Sequence, residues 1–254
     1  MGKSSECQYN TMYIQGVGIG SISNCLSAVK FHVFDRKNLG MEQLLIALKN
    51  NFEGCRDIQQ LLLNKAPKYG NDDAYADGIM KEVFHIYYQE VDGRRNMKGG
   101  FYRVDMLPTT CHVYFGSVTG ATPDGRFDSA PLSEGISPVQ GADHEGPTSV
   151  IKSASKMDHL KTGGTLLNMK FTPQLLQNED GVSRLASLVR ACFRLDGHHI
   201  QFNVVDRETL MDAQKNPDKH RNLIVRVAGY SDYFCNLNTA LQNEIIERTE
   251  HAAF

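Results

Sequence analysis

The residue types in this chain that could do chemistry are few, and spacing decides among them. Gly16-Val17-Gly18-Ile19-Gly20 has the glycine density of a phosphate-cradling loop. No strand is read before it, its third glycine falls one residue early for G-x-G-x-x-G, and no G-K-[ST] follows, so the pattern predicts a turn instead of a nucleotide site. Cys55, in Gly54-Cys55-Arg56-Asp57, has no histidine at fixed spacing and lies where an amphipathic helix begins, which predicts packing or surface. Adjacent side chains on a strand point to opposite faces, so neither His198-His199 nor Asp158-His159 presents two ligands to one metal; both read as polar-wall or surface residues. No G-x-S-x-G elbow is present. The remaining candidate is a glycine. Leu223-Ile224-Val225-Arg226-Val227 reads as a strand, and Ala228-Gly229-Tyr230-Ser231 breaks it. On position alone, Gly229 is a turn or helix-capping glycine.

The elements that must position these residues come in three stretches. In the first, apolar residues recur every three or four positions through Ile22, Leu26, Val29 and Val33, through Leu44, Leu45 and Leu48, and through Ile58, Leu61 and Leu62, which predicts three helices. Asp72 and Asp73 stand where an N-cap favours a fourth, whose stripe of Ile79, Val83, Ile86 and Tyr87 runs out at Gly93. A polar joint follows, from Gly93 to Phe101. In the second stretch, Cys111-His112-Val113-Tyr114-Phe115 is β-prone, and Gly116 to Ser149 holds six glycines and four prolines in 34 residues. An excursion of that length either wraps a site or packs as an ordered surface strap. Gly164 to Phe171 and His199 to Val205 read as strands, with a helix carrying Leu185, Leu188, Val189 and Cys192 between them. Ile200, Phe202 and Val204 alternate with Gln201 and Asn203, as in a barrel wall facing a polar lumen or an ordinary half-exposed strand. In the third stretch, Leu237 to Arg248 reads as a final helix.

With 254 residues, 41% of them hydrophobic, the chain is long enough to bury a core. A net charge of −2 supplies no field for a polyanion, so nucleic acid is not an expected partner. There is no apolar run of membrane-spanning length and no apolar segment behind Met1-Gly2-Lys3-Ser4-Ser5-Glu6, which predicts a cytoplasmic protein with no membrane partner. Cysteines 7, 25, 55, 111, 192 and 235 are scattered without a C-x-x-C pair, so no zinc or iron–sulfur site is written here and free thiols are expected.

Arg226-Val227-Ala228-Gly229-Tyr230, lying 25 residues before the last residue, resembles the R-V-x-G-[FY] signature of the glycyl radical enzymes. The resemblance extends along the chain, through Tyr9-Asn10, Ile14-Gln15-Gly16-Val17-Gly18, the segments 66–73 (Ala66 to Asp73), 120–126 and 131–138, and Gly197-His198-His199-Ile200-Gln201-Phe202-Asn203-Val204, all of which look like blocks of the pyruvate formate-lyase-like enzymes. Residues 106–117 and 156–168 look most like the branch that dehydrates trans-4-hydroxy-L-proline, although diol dehydratases and arylacetate decarboxylases share much of the wording.

That resemblance implies an α/β fold, the C-terminal half of a ten-stranded α/β barrel with surrounding helices and a C-terminal glycine-radical loop. Residues 1–100 would form a helical part, 101–205 barrel strands and the long loop, and 206–254 the glycyl radical domain. It implies radical storage at Gly229, where delocalisation between amide nitrogen and carbonyl favours a planar α-carbon that a Cβ would crowd. No bound cofactor is implied; the radical would be installed by an S-adenosylmethionine-dependent activating enzyme, itself a partner. Thr109 matches a position associated with a substrate-contacting threonine, or else is a strand-opening residue bonding its own backbone. The family's thiyl cysteine lies in a G-C-V-E-like motif that this sequence lacks. The chain would then need a missing N-terminal half or subunit, would be inactive alone, and within the complete enzyme would act on a small molecule as part of a homo-oligomer. A non-catalytic radical carrier that docks onto a damaged parent enzyme is the other reading.

Overall fold

The computed structural model describes residues 10–107 and 109–254; Met1 to Glu6, Cys7 and Tyr9, named above, lie outside the described residues, as does Pro108. The chain opens with strand β1 (Thr11–Gln15), followed by α1 (Ile19–Val29), a π-helical turn over Lys30–Asp35, α2 (Met41–Lys49), α3 (Arg56–Lys65) and α4 (Ala74–Val91). The four helical patterns are thus present. Asp73 caps α4, its carboxylate accepting from the Tyr75 N–H at 2.8 Å and filling part of the donor deficit of a helix start. The buried faces of the early helices meet in one apolar cluster around Ala28, Leu44, Phe52 and Leu62.

β1 corrects the expectation that no strand precedes Gly16. It pairs in parallel with β2 (Phe101–Asp105), Thr11 opposite Phe101. Strand, glycine turn and helix therefore follow one another, yet the turn cradles protein. A Cβ on Gly20 would sit 2.8 Å from the Ser137 carbonyl, and the Ser21 N–H at the start of α1 donates to Ser133 Oγ at 3.0 Å. The glycine lets α1 lie directly on the 132–138 strap, which takes the donor a phosphate would need.

A second correction concerns residues 111–115, which form the start of α5 (Cys111–Ser117) instead of a strand. His112 and Gly116, four apart, are its buried positions, while Tyr114 is 66% exposed. Tyr114 and Phe115 thus point outward while Val113 packs against the core around Leu210 and Val225, and tertiary contact overrides the β propensity of all three. The 118–145 excursion packs as an ordered strap in which the Arg126 guanidinium donates to the Ala130 carbonyl at 2.6 Å and the Thr119 carbonyl at 3.1 Å.

Beyond it come α6 (Gly146–Ala154), β3 (Leu167–Phe171), α7 (Glu179–Arg194) and β4 (Ile200–Val204). α7 starts with an Asn178 cap and Glu179 and Asp180 in its first turn, and ends on Arg194, a charge order that suits the helix dipole. Then follow α8 (Arg207–Lys215), β5 (Ile224–Arg226), β6 (Ser231–Tyr233), α9 (Thr239–Glu247) and β7 (Glu250–His251). β3 is buried along its whole length between β4 and β7, both parallel to it. β5 and β6 form an antiparallel hairpin. Among the described residues the sheets have two, three and two strands, an α/β arrangement. The hairpin, α8 and α9 share a core of their own, including Leu210, Val225, Val227, Phe234 and Ile245. No described helix is long and apolar enough to cross a membrane.

Candidate functional site

The β5–β6 hairpin carries Gly229 at its tip. Its φ of +80° is a left-handed conformation that an L side chain resists. The glycine itself is exposed, and among the described residues a Cβ built on it would have only the Leu107 side chain within 4 Å, the nearer carbon at 3.5 Å. The glycine is therefore placed from its stem, through side chains that grip the strand before it.

β4 supplies one grip. Asn203 Nδ2 donates to the Arg226 carbonyl at 2.8 Å while its Oδ1 accepts from the Arg226 N–H at 2.8 Å, so the amide imitates a neighbouring strand. Gln201 Oε1 accepts from Arg226 Nε at 3.1 Å and from a terminal guanidinium nitrogen at 2.8 Å, and the Gln201 amide donates to Asn168 on β3. Arg226 also donates to Ser231 Oγ across the hairpin at 3.1 Å. The alternation on β4 is thus inverted from an ordinary half-exposed strand: Gln201 and Asn203 are buried, and Val204 is 46% exposed.

The second grip comes from beyond α9. The Arg248 guanidinium donates to the Val227 carbonyl at 2.9 Å and the Arg226 carbonyl at 3.3 Å, and is itself held by Glu244 through bonds of 3.0 and 2.8 Å. Both side chains are buried. Burial alone would raise the Glu244 carboxyl, but Arg248 and His112 overcome it and hold Glu244 well below the usual carboxylate range. Burial works against the Arg248 charge, and Glu244 and Glu134 more than restore it. A buried pair with this many bonds keeps both charges, because losing either partner would strand the other without solvent. Glu134, pushed up by burial, accepts from Ser137 Oγ at 2.6 Å. Lys170, lowered to about 8 by burial, donates to the Ile246 carbonyl at 2.9 Å, just ahead of Arg248.

Thr109 does not open a strand. It lies half-buried in the turn before α5, two residues beyond Leu107, and its φ of +52° is unusual for a β-branched residue. Strain of that kind collects at functional positions, where surrounding structure over-determines it. Beside the glycine, Thr110, Val113, Tyr114, Tyr230, Leu237 and Leu241 line an open groove of about 630 Å³.

The other chemical candidates are placed apart. His159 is buried, which leaves the polar-wall reading and not the surface one, with Nδ1 3.0 Å from Thr165 Oγ1 and Nε2 3.1 Å from the Ala154 carbonyl; its ring lies 5.4 Å from that of His198. No metal-competent cluster occurs among the described residues. Cys25, Cys55, Cys111, Cys192 and Cys235 are free thiols, and Cys55 precedes α3 as expected.

Sequence reading singled out Gly229 and passed over Arg248 and Glu244, which grip the strand before it. Their i, i+4 spacing was the available signal, and it looks like any surface pair until burial is known. Gln201 and Asn203 were visible as an amide face without a partner.

Comparison with known proteins places these features. Residues 2–116 match the family described as pyruvate formate lyase-like, and residues 132–235, which contain the hairpin, match the family described as glycine radical. The chain is 61% identical over 243 residues to the trans-4-hydroxy-L-proline dehydratase of Clostridioides difficile, covering 96% of this chain and 31% of that enzyme. The crystal structure of the hydroxyproline dehydratase from that organism, with trans-4-hydroxy-L-proline bound, superposes with a TM-score of 0.95 at 60% identity, over 97% of this chain and 31% of that one. The B12-independent glycerol dehydratase of Clostridium butyricum superposes at 0.93 with 46% identity, over 97% and 31%. The chain thus spans about a third of the length of these relatives, and with a glycine-radical segment joined to a pyruvate formate lyase-like one it belongs to the glycyl radical enzymes.

Proposed function

We propose that the chain is the glycyl-radical-bearing C-terminal part of a radical lyase that removes water from a small hydroxylated substrate, trans-4-hydroxy-L-proline. Gly229 stores the radical. The observation that carries this reading is Arg226-Val227-Ala228-Gly229-Tyr230 on a hairpin tip with a left-handed glycine, in a chain 61% identical to a dehydratase of that substrate. In this reading the chain supplies the later half of a ten-stranded barrel, with 1–100 as its helical part, 101–205 as strands and strap, and 206–254 as the radical domain.

The chemistry assigned to the glycine is one hydrogen-atom transfer. Breaking the Gly229 Cα–H bond and forming an S–H bond converts a thiyl radical into a thiol and leaves the unpaired electron on the α-carbon; the reverse restores the thiyl. The cysteine sits on the preceding part of the enzyme or on a separate subunit. An S-adenosylmethionine-dependent activating enzyme makes the first radical. Exposure of Gly229 and Tyr230 in this chain fits a surface that the remaining part covers, since such a relay requires exclusion of solvent and oxygen. Thr109 contacts the substrate, its hydroxyl donating to a carboxylate without a charge that must be desolvated. The test is anaerobic activation of the complete enzyme followed by turnover of 4-hydroxyproline, glycerol and propane-1,2-diol. Preference for hydroxyproline supports the reading, and preference for a diol overturns its substrate while leaving the radical in place.

A further inference from the structure

Among the described residues, the only side chain within 4 Å of a Cβ built on Gly229 is Leu107, in ordinary contact, so what holds the α-carbon acts through the backbone on either side of it. A hydrogen transfer between that carbon and a sulfur is sensitive to placement, because a 1 Å displacement of reacting atoms can cost about 10²-fold in rate. Some group must therefore set the position of the hairpin tip from a distance. Two residues span at most about 7 Å of chain, so the last gripped backbone atom before the glycine has the most control over it. That atom is the Val227 carbonyl oxygen, and the side chain that grips it is Arg248.

We infer that Arg248, oriented by Glu244, is the positioning residue for the radical-bearing glycine. The arrangement suits that role. The guanidinium bridges two consecutive carbonyls of the hairpin stem while both its Nε and a terminal nitrogen rest on one carboxylate, so its plane is held on two sides. It is 7% exposed and Glu244 is fully buried, so water does not compete for either set of bonds. Gln140 Nε2 donates to Glu244 Oε1 at 3.1 Å, tying the carboxylate to the strap, and the Asn203 amide fixes the preceding peptide from the opposite strand. Lysine in place of Arg248 would keep the charge that Glu244 needs, but a single ammonium cannot hold two carbonyls and two carboxylate oxygens in one plane.

This inference rests on radical storage at Gly229, and the experiment separates the two. In the complete enzyme, activated anaerobically, radical spins per chain are counted by electron paramagnetic resonance and turnover is expressed per spin, for the native protein and for Arg248→Lys. Native folding is checked by thermal midpoint. The expected result is a spin count within about twofold of native, KM within about twofold, and kcat per spin lower by about tenfold or more. A residue that only supports the fold would lower spins or midpoint and leave kcat per spin alone. Should the lysine variant fail to fold, the paired variant Arg248→Gln with Glu244→Gln decides instead: it removes both charges together, so neither is left buried and unpaired, and puts one amide where the guanidinium bridged two carbonyls, so kcat per spin is again expected to fall by about tenfold or more with KM within about twofold. Unchanged kcat per spin, a loss confined to KM, or a folded variant that takes up no radical overturns the positioning role. Absence of a radical in the native enzyme overturns the proposed function itself.

Discussion

Gly229→Ala separates what glycine does for the fold from what it does for the radical. The added methyl meets no obstacle, since its nearest neighbour would be Leu107 Cδ2 at 3.5 Å and that is van der Waals contact. The remaining cost is backbone: at φ +80° an L residue loses about 1–2 kcal/mol relative to glycine. That is small beside a typical folding stability of about 5–15 kcal/mol, and the stem stays gripped by Asn203 and Arg248, so the variant should fold with the hairpin in place. Its radical should nevertheless be lost, because a substituted α-carbon cannot flatten without crowding its own carbonyl. Activated anaerobically, the native enzyme should give an electron paramagnetic resonance doublet, split by the one remaining α-hydrogen and collapsing when glycine is deuterated at that carbon. The alanine variant should be silent at an unchanged circular dichroism spectrum. An unaltered doublet in the variant would refute the assignment to Gly229, and an unfolded variant would refute the steric reasoning.

Oxygen exposure of the activated enzyme should cut the chain at Gly229, leaving a fragment ending near Ala228 that mass spectrometry detects. The 254-residue chain alone should not dehydrate 4-hydroxyproline, since it lacks a G-C-V-E-like block; turnover dependent on Cys55 or Cys235 would contradict the assigned mechanism. Thr109→Val keeps the branched shape and the strained φ but removes a donor, so kcat/KM for hydroxyproline in the complete enzyme should fall roughly ten- to hundred-fold, from about 1.5–3 kcal/mol, and a silent variant would return Thr109 to a local role. Asp143 and His251 lie 3.4 Å apart and are both shifted by burial, the acid up to about 6 and the histidine down to about 4. Asp143 contributes stability present at low pH and lost as pH rises through about 6, and His251 contributes stability present above its unfolded value and lost as pH falls through about 4; the two nearly cancel. Asp143→Asn removes the acid's opposing contribution, so the unfolding free energy from urea titration should climb more steeply between pH 4 and 6.5 than in the native protein, by about 3 kcal/mol at most.

What the sequence discloses about this fold follows from how local the determining contacts are. α3, α4 and α7 each bury a single face, so a period near 3.6 suffices to read them, and at α4 the Asp73 cap also marks the start. β1 fails that test because its partner is Phe101–Asp105, and because Tyr13 and Ile14 are largely exposed, leaving no alternation to detect. α5 misleads for the opposite reason. Val113, Tyr114 and Phe115 have the composition of a strand, whereas the contact that decides the conformation is the close approach of Gly116 to Ala130 and Pro131 on the strap.

The candidate site divides along the same line. Gly229 is legible because the chemistry demands one residue type within a short contiguous motif. The side chains that hold it come from β4 and from the end of α9, and each has an ordinary look in one dimension: two amides in a strand, and a glutamate four residues before an arginine. Their function lies in what burial does to them. In water the Glu244–Arg248 pair would contribute about 0.3–0.5 kcal/mol as a helix-surface ion pair; sealed under the hairpin, each partner becomes indispensable to the other, and their remaining hydrogen-bonding capacity is directed onto the carbonyls of residues 226 and 227. The apolar period that reveals a helix says nothing about polar residues turned inward. The hairpin that carries Gly229 is therefore visible from sequence at its tip and hidden at its root.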